Sequence, residues 1–352
     1  MNEQGGMRDR DSTPAGEDRL GGVPAPLLRY RRLIDDALRA EVEALPVSCM
    51  PAVAYHFGWR ETDGAAAEGY GGKAVRPAVT LLAAEAAGGR PEQALPGAVA
   101  LELVHNFSLI HDDIIDRDET RRHRATVWAT WGIAQAVIVG DAMLAHAQRL
   151  LLEDDVDEGP AAARELANAT ALMIEGQCED MTLAAGDEAG AERTLTMCAH
   201  KTGALLGCAG ALGGLMAGAP GQTVDALREF GLELGIAFQA VDDILGIWGD
   251  PRKTGKPIAG DVRERKKSLP LVHGLESAEG RRLGRLLAGD LDDEAVAAAV
   301  EILDEAGSRE WTIDLARRHL ARALASLERA ELRPGPVEDL ESVSRFLVER
   351  EF

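Results

Sequence analysis

From Glu102 to Arg124 the chain reads Glu-Leu-Val-His-Asn-Phe-Ser-Leu-Ile-His-Asp-Asp-Ile-Ile-Asp-Arg-Asp-Glu-Thr-Arg-Arg-His-Arg. An apolar, helix-compatible run ends in three carboxylates. On a helix Asp112 and Asp116 lie one above the other, Asp113 flanks them, and His105 falls two turns lower on nearly the same stripe. Such a stripe repels itself, so any fold that keeps it must bring a cation to it. Hard oxygen donors with room for water and phosphate suit Mg²⁺. Arg121, Arg122 and Arg124 follow at once, and carboxylates for a metal beside guanidiniums for phosphate describe a diphosphate site.

The rest of the composition narrows the fold. Aromatic residues are 4% of the 352, while alanine, leucine and glycine abound, which favours helices packed at short range over a β-sandwich. A net charge of −21 argues against nucleic acid or an anionic membrane as a partner and makes the few basic clusters stand out. Cys49, Cys178, Cys198 and Cys208 form no Cys-x-x-Cys pair, so free thiols in a reducing cytoplasm are expected, three of them in the core. The N-terminus lacks the apolar region of a signal peptide. Thr202 to Val224 carries no charge and repeats glycine at four-residue spacing. It is short, Gly- and Ala-rich and ends near Pro220, so a close-packed buried helix is preferred to a membrane span.

Residues 1–26 are rich in Gly, Pro and charge and are expected to be a disordered tail. Residues 27–352 read as one all-α domain. Helices are expected over 27–45, a short piece near 52–59, then 78–87, 93–116, 125–152, 161–183, 191–217 and 223–248. Four more follow at 268–275, 293–306, 311–331 and 336–349. No strand pattern appears. Pro77 is placed to open the helix at 78, just after Gly71-Gly72-Lys73-Ala74-Val75-Arg76, a glycine-and-cation segment able to take phosphate. The helix over 223–248 carries a second acidic pair, Asp242-Asp243, followed by a basic loop with Lys253, Lys256, Arg265, Lys266 and Lys267.

Each part has an ordinary reading as solvated surface. Together, two acidic clusters each beside a basic segment suggest facing helices that bind Mg²⁺ and a substrate diphosphate, under a loop that excludes water.

These motifs resemble the trans-isoprenyl diphosphate synthases, at Gly71–Pro77, His105–Arg122, Lys201-Thr202, Gln239–Gly246 and Gly255–Lys267. The resemblance implies an isoprenoid synthase-type helical bundle around a central cavity, a cytoplasmic homodimer, and head-to-tail condensation of isopentenyl diphosphate with an allylic diphosphate. It implies two to three Mg²⁺ ions, with Mn²⁺ as a substitute, on Asp112, Asp116 and Asp242, supported by Asp113 and Asp243. Lys73, Arg76, His105 and Arg122 would hold isopentenyl diphosphate. Arg121, Lys201 and Lys256 would hold the allylic diphosphate, with Lys266 in the closing loop. Lys201, Thr202 and Gln239 would stabilise the allylic cation. Phe107 and Ser108 would floor the product pocket in a pattern resembling C20 (geranylgeranyl) producers, with C15 next and longer chains after it.

The sequence departs from the family pattern at Gly246, where a third Asp is usual, at Ala74, where an Arg is usual, and at His123 and Ala125, where Gly and Pro are usual. Rival readings are a class I terpene cyclase on the same scaffold and a non-catalytic subunit of a true synthase.

Overall fold

Helix accounts for nearly all regular structure in the computed structural model, which describes residues 23–67, 72–153, 158–186, 190–250 and 258–349. In chain order they are α1 (Ala25–Arg29), α2 (Arg31–Glu43), α3 (Met50–His56), α4 (Val75–Ala86), α5 (Pro91–Ile115), α6 (Val127–Trp131), α7 (Ile133–Leu151), α8 (Gly159–Ala184), α9 (Ala191–Cys198), α10 (Ala204–Met216) and α11 (Gly221–Trp248). After them come α12 (Gly260–Arg263), α13 (Leu269–Glu276), α14 (Gly280–Ala288), α15 (Asp293–Glu305), α16 (Ser308–Leu327) and α17 (Pro334–Glu349). The all-α expectation holds.

The uncharged Gly/Ala stretch becomes α10, the hub of the bundle, packed on α4, α5, α8 and α11. Its glycines are needed because backbones meet there. A Cβ on Gly210 would lie 2.0 Å from the Leu227 carbonyl oxygen, and one on Gly213 would lie 2.4 Å from that of Thr80. Among the described residues no helix is long and apolar enough to cross a membrane. A smaller second core joins the end of α11 to α12, α14 and α15 through Ile247, Val262, Leu283 and Ile302. Cys49, Cys198 and Cys208 are buried and Cys178 is exposed.

Several boundaries differ from expectation. Helix α1 begins at Ala25, inside the stretch expected to be tail, because Pro26 and Leu27 find buried sites. Helix α4 starts at Val75 after Ala74 in the left-handed region (φ 49°), so Pro77 is its third residue rather than its first. Proline is tolerated there since first-turn N–H groups lack helical partners anyway. The helix expected over 125–152 is replaced by a hairpin, β1 (Thr120–Arg121) against β2 (Arg124–Ala125), then α6, a break at Gly132 (φ 84°) and α7. The one expected over 191–217 is interrupted by a π-turn at Ala199–Gly203. Helices α12 and α14 were not anticipated.

Candidate active site

The acidic ends of α5 and α11 come within reach of one lysine charge and together outline an acidic basin. Helix α5 ends at Ile115 with Asp116 as its C-cap, and the Lys266 charge acts both on Asp116 and on the Asp242–Asp243 pair of α11. Burial pushes the Asp112 carboxyl up to about 6; Lys201 opposes this and Asp116 adds to it. Burial takes Asp113 to about 6 against the pull of Arg121, and Asp243 to about 6 against that of Lys266. Asp116 is raised too, again by burial. Anionic charge is therefore held here at a cost, in want of a cation.

The carboxylates divide by environment. Asp113 is buried and accepts from Arg121 Nε at 2.7 Å, while its Oδ2 is buried without a hydrogen-bond partner. Asp243 is buried and accepts from Gln239 Nε2 (2.8 Å) and the Leu269 amide (2.9 Å), with Lys266 Nζ at 3.9 Å. Both brace the protein interior. Asp112 and Asp242 are half-buried and Asp116 is exposed, so these three remain accessible. Among the described residues no three ligating side chains form a ready-made metal cage. Mg²⁺ is typically bound by one or two carboxylates with water and substrate phosphate.

The π-turn projects Lys201 and Thr202 into this basin. A single π-turn adds one residue to the helix and re-aims the side chains around it. Lys201 Nζ pairs with Asp180 of α8, while Thr202 Oγ1 donates to Gln239 Oε1 at 2.6 Å. Gly176 lets α8 approach: a Cβ there would sit 2.4 Å from the Lys201 nitrogen. Thr202, Gln239 and Asp243 thus form one hydrogen-bonded chain.

A separate cavity of about 190 Å³ is lined by Lys73, Arg76, His105 and Arg122, with Glu102, Phe238 and Leu347. All four residues expected to share an anion site meet here. Burial, reinforced by Arg76 and Arg122, holds His105 well below its usual pKa, so it is a neutral imidazole. Arg76 keeps a buried Nε–H without an acceptor, the sort of donor an oxyanion would satisfy. Behind it Glu102 is fixed by Asn106 Nδ2 (3.0 Å), and Asn106 bonds His56 at 3.1 Å. Burial, with Arg122 and Arg121 adding to it, pushes the His56 pKa down to about 3.

Arg121 and Arg122 also line a neighbouring cavity of about 260 Å³ beside the hairpin. Arg122 (φ 53°) and His123 (φ 62°) form the hairpin turn, both in the left-handed region. Arg124 is structural instead: it lies 4.1 Å from the Tyr55 ring centroid and bonds Arg60 O and Glu61. Lys256, like Lys253, lies outside the described residues.

A family model described as polyprenyl synthetase matches residues 65–303, most of the chain. The chain belongs to the polyprenyl synthetase family. It is 41% identical, over 95% of both chains, to the (2E,6E)-farnesyl diphosphate synthase of Mycobacterium tuberculosis. The geranylgeranyl diphosphate synthase of the same organism is 39% identical, over 94% of this chain and 97% of that protein. Among solved structures, the polyprenyl synthetase from Streptomyces coelicolor A3(2) superposes with a TM-score of 0.88 at 46% identity, covering 92% of this chain and 99% of that one. This polyprenyl synthetase is therefore a prenyltransferase of the prenyl diphosphate synthase type, with the helical fold of that group.

Within the family framework, Phe107 and Ser108 sit one to two turns below Asp112 on α5. Phe107 is buried and meets His111 edge-on, with ring centroids 5.5 Å apart. The Ser108 hydroxyl turns back to the His105 carbonyl at 2.8 Å. Sequence reasoning missed Asp180, Glu102, Asn106 and His56. Asp180 and His56 lie outside every motif singled out in the sequence, while Glu102 and Asn106 lie at the head of the 102–124 stretch, where their i, i+4 spacing could have signalled a pair.

Proposed function

We propose that this polyprenyl synthetase joins isopentenyl diphosphate head-to-tail to an allylic diphosphate in a Mg²⁺-dependent reaction, releasing a linear geranylgeranyl (C20) diphosphate. The observation that carries the two-substrate reading is the pair of separate anion-suited sites. The Lys73/Arg76/His105/Arg122 cavity suits one diphosphate, and the acidic basin with Lys201 and Lys266 suits another with its metal.

Asp112, Asp116 and Asp242 would hold Mg²⁺, which supplies charge neutralisation to the departing diphosphate. Lys201, Lys266, Arg121 and Lys256 orient the allylic diphosphate. Lys73, Arg76 and Arg122 anchor isopentenyl diphosphate by charge, while neutral His105 contributes a hydrogen bond. Ionisation breaks the allylic C–O bond. Thr202 and Gln239, whose donors are engaged internally, present oxygen lone pairs to the resulting cation. The isopentenyl double bond then forms the new C–C bond, and the released diphosphate takes the proton lost in restoring the alkene.

The C20 product rests on the small Ser108, whose hydroxyl lies against its own helix, above buried Phe107. The similarity to a farnesyl synthase favours C15 as a second reading. Product analysis by mass spectrometry, with dimethylallyl, geranyl and farnesyl diphosphates in turn, tests both. C15 as the terminal product from every primer overturns the C20 assignment, and a cyclic hydrocarbon formed without isopentenyl diphosphate overturns coupling. Phe107→Ala is expected to lengthen the product by at least one five-carbon unit; an unchanged distribution would place the floor elsewhere.

A further inference from the structure

Gly246 lies on α11 one turn beyond Asp242, where a side chain would face the same neighbourhood as that carboxylate. A Cβ built on it would lie 2.5 Å from Cγ, Oδ1 and Oδ2 of Asp261 alike, so the Asp261 carboxylate rests directly over the Gly246 backbone. Any side chain at 246 would require the Asp261 carboxylate to move from this position. Asp261 is 4% exposed and belongs to α12, at the head of the basic segment. Its carbonyl accepts the Lys266 amide at 2.9 Å, and its charge acts on both Lys266 and Asp243.

The segment bearing Asp261 is fastened in place. Arg263 reaches Asp293 at 2.9 Å, and Arg265, itself at φ 55°, donates to the carbonyls of Leu287 and Gly289 at 2.7 and 2.8 Å. Asp261 thus meets α11 from a segment tied to α14 and α15.

We infer that Asp261 supplies, from the loop, the third carboxylate of the second acidic cluster, and that Gly246 is the vacancy that admits it. In that role Asp261 is a positioning residue: it sets the anionic field around Asp242, Asp243 and Lys266 on the side of the basin that receives metal and diphosphate. The inference rests on the synthase reading above.

The full-length protein, with Mg²⁺ and inorganic diphosphate as probes, provides the test by thermal shift and calorimetry without turnover. Asp261→Asn keeps the shape and removes a like charge from beside Asp243. Because a repulsion from Asp243 and an attraction to Lys266 are lost together, its metal-free melting temperature is expected to hold, while the Mg²⁺ concentration for half-maximal stabilisation in the presence of diphosphate rises about five-fold or more. A purely structural residue would do the reverse, lowering the metal-free melting temperature and leaving the Mg²⁺ response unchanged, and that result overturns the inference. Gly246→Asp alone is expected to destabilise the protein by collision, and Gly246→Asp/Asp261→Gly to recover both melting temperature and Mg²⁺ response. Additive losses in the double variant also overturn the pairing. If the wild type itself shows no response to Mg²⁺ and diphosphate, the synthase reading fails and takes this inference with it.

Discussion

At the residue scale the site's chemistry follows from carboxylates buried close together. Asp112, Asp113 and Asp243 each have a carboxyl pushed up to about 6, with burial the leading cause. In the unfolded chain an Asp carboxyl titrates at about 4. Between those values the folded state binds more protons, so this contribution to stability is full below about pH 4 and is lost as pH rises through about 6. The metal-free melting temperature is therefore expected to fall between about pH 4 and 6. Mg²⁺ with diphosphate should flatten that slope, since a bound cation favours the ionised form. Asp112→Asn should flatten it without metal and abolish turnover while helical circular dichroism persists. A metal-free slope of opposite sign would mean these carboxylates already have their cations. The acidic residues were legible in sequence because a run of like charge on one helical stripe is locally improbable. Asp180 and Asp261 were not, because their meaning depends on what lies across from them: the π-turn lysine for one, a missing side chain for the other.

At the scale of elements, the helical period gave α5, α8, α11 and α15 to within about two residues, because each buries one continuous stripe. It failed where backbone geometry changes without a change in hydrophobic pattern. The π-turn at Ala199–Gly203 keeps a buried face through α9 and α10, so periodicity ran straight across it. The hairpin at 120–125 is too short to show alternation, and its turn uses Arg122 and His123 where glycine or asparagine is the usual signal. What fixes the π-turn against α8 is Gly176. Gly176→Ala would push a methyl group to 2.4 Å from the Lys201 nitrogen and 2.9 Å from the His200 Cβ. The variant is expected to lose about 1–3 kcal/mol of stability, as overpacked sites do, and to lose turnover disproportionately because Lys201 and Thr202 shift together. A chemical denaturation curve with unchanged midpoint and normal kinetics would show that α8 yields there without disturbing the turn.

At the scale of the whole molecule, the described residues leave apolar side chains uncovered on two helices that pack together. Ile133, Val137 and Ile138 on α7 and Ile174 and Met181, on one side of the adjoining α8, are exposed, Ile138 to 56%. Sequence periodicity cannot separate this face from the core, since an apolar stripe reads alike whether a helix or a second molecule covers it. The resemblance alone carried the expectation of a homodimer. The physical argument for it is that soluble monomers rarely expose adjoining apolar stripes of this kind, and that a net charge of −21 per chain keeps copies apart unless such a face draws them together. If two copies meet here, association should strengthen as salt screens the mutual repulsion, the reverse of what a salt-bridged interface would do. Ile138→Glu would bring two new anions, one from each copy, into a two-fold contact made through this face. It is expected to shift the protein from dimer to monomer in light scattering after size exclusion, with its helical content kept. A variant that remains dimeric at low protein concentration would mean that the chains meet through another face, and that something other than a second copy covers α7 and α8.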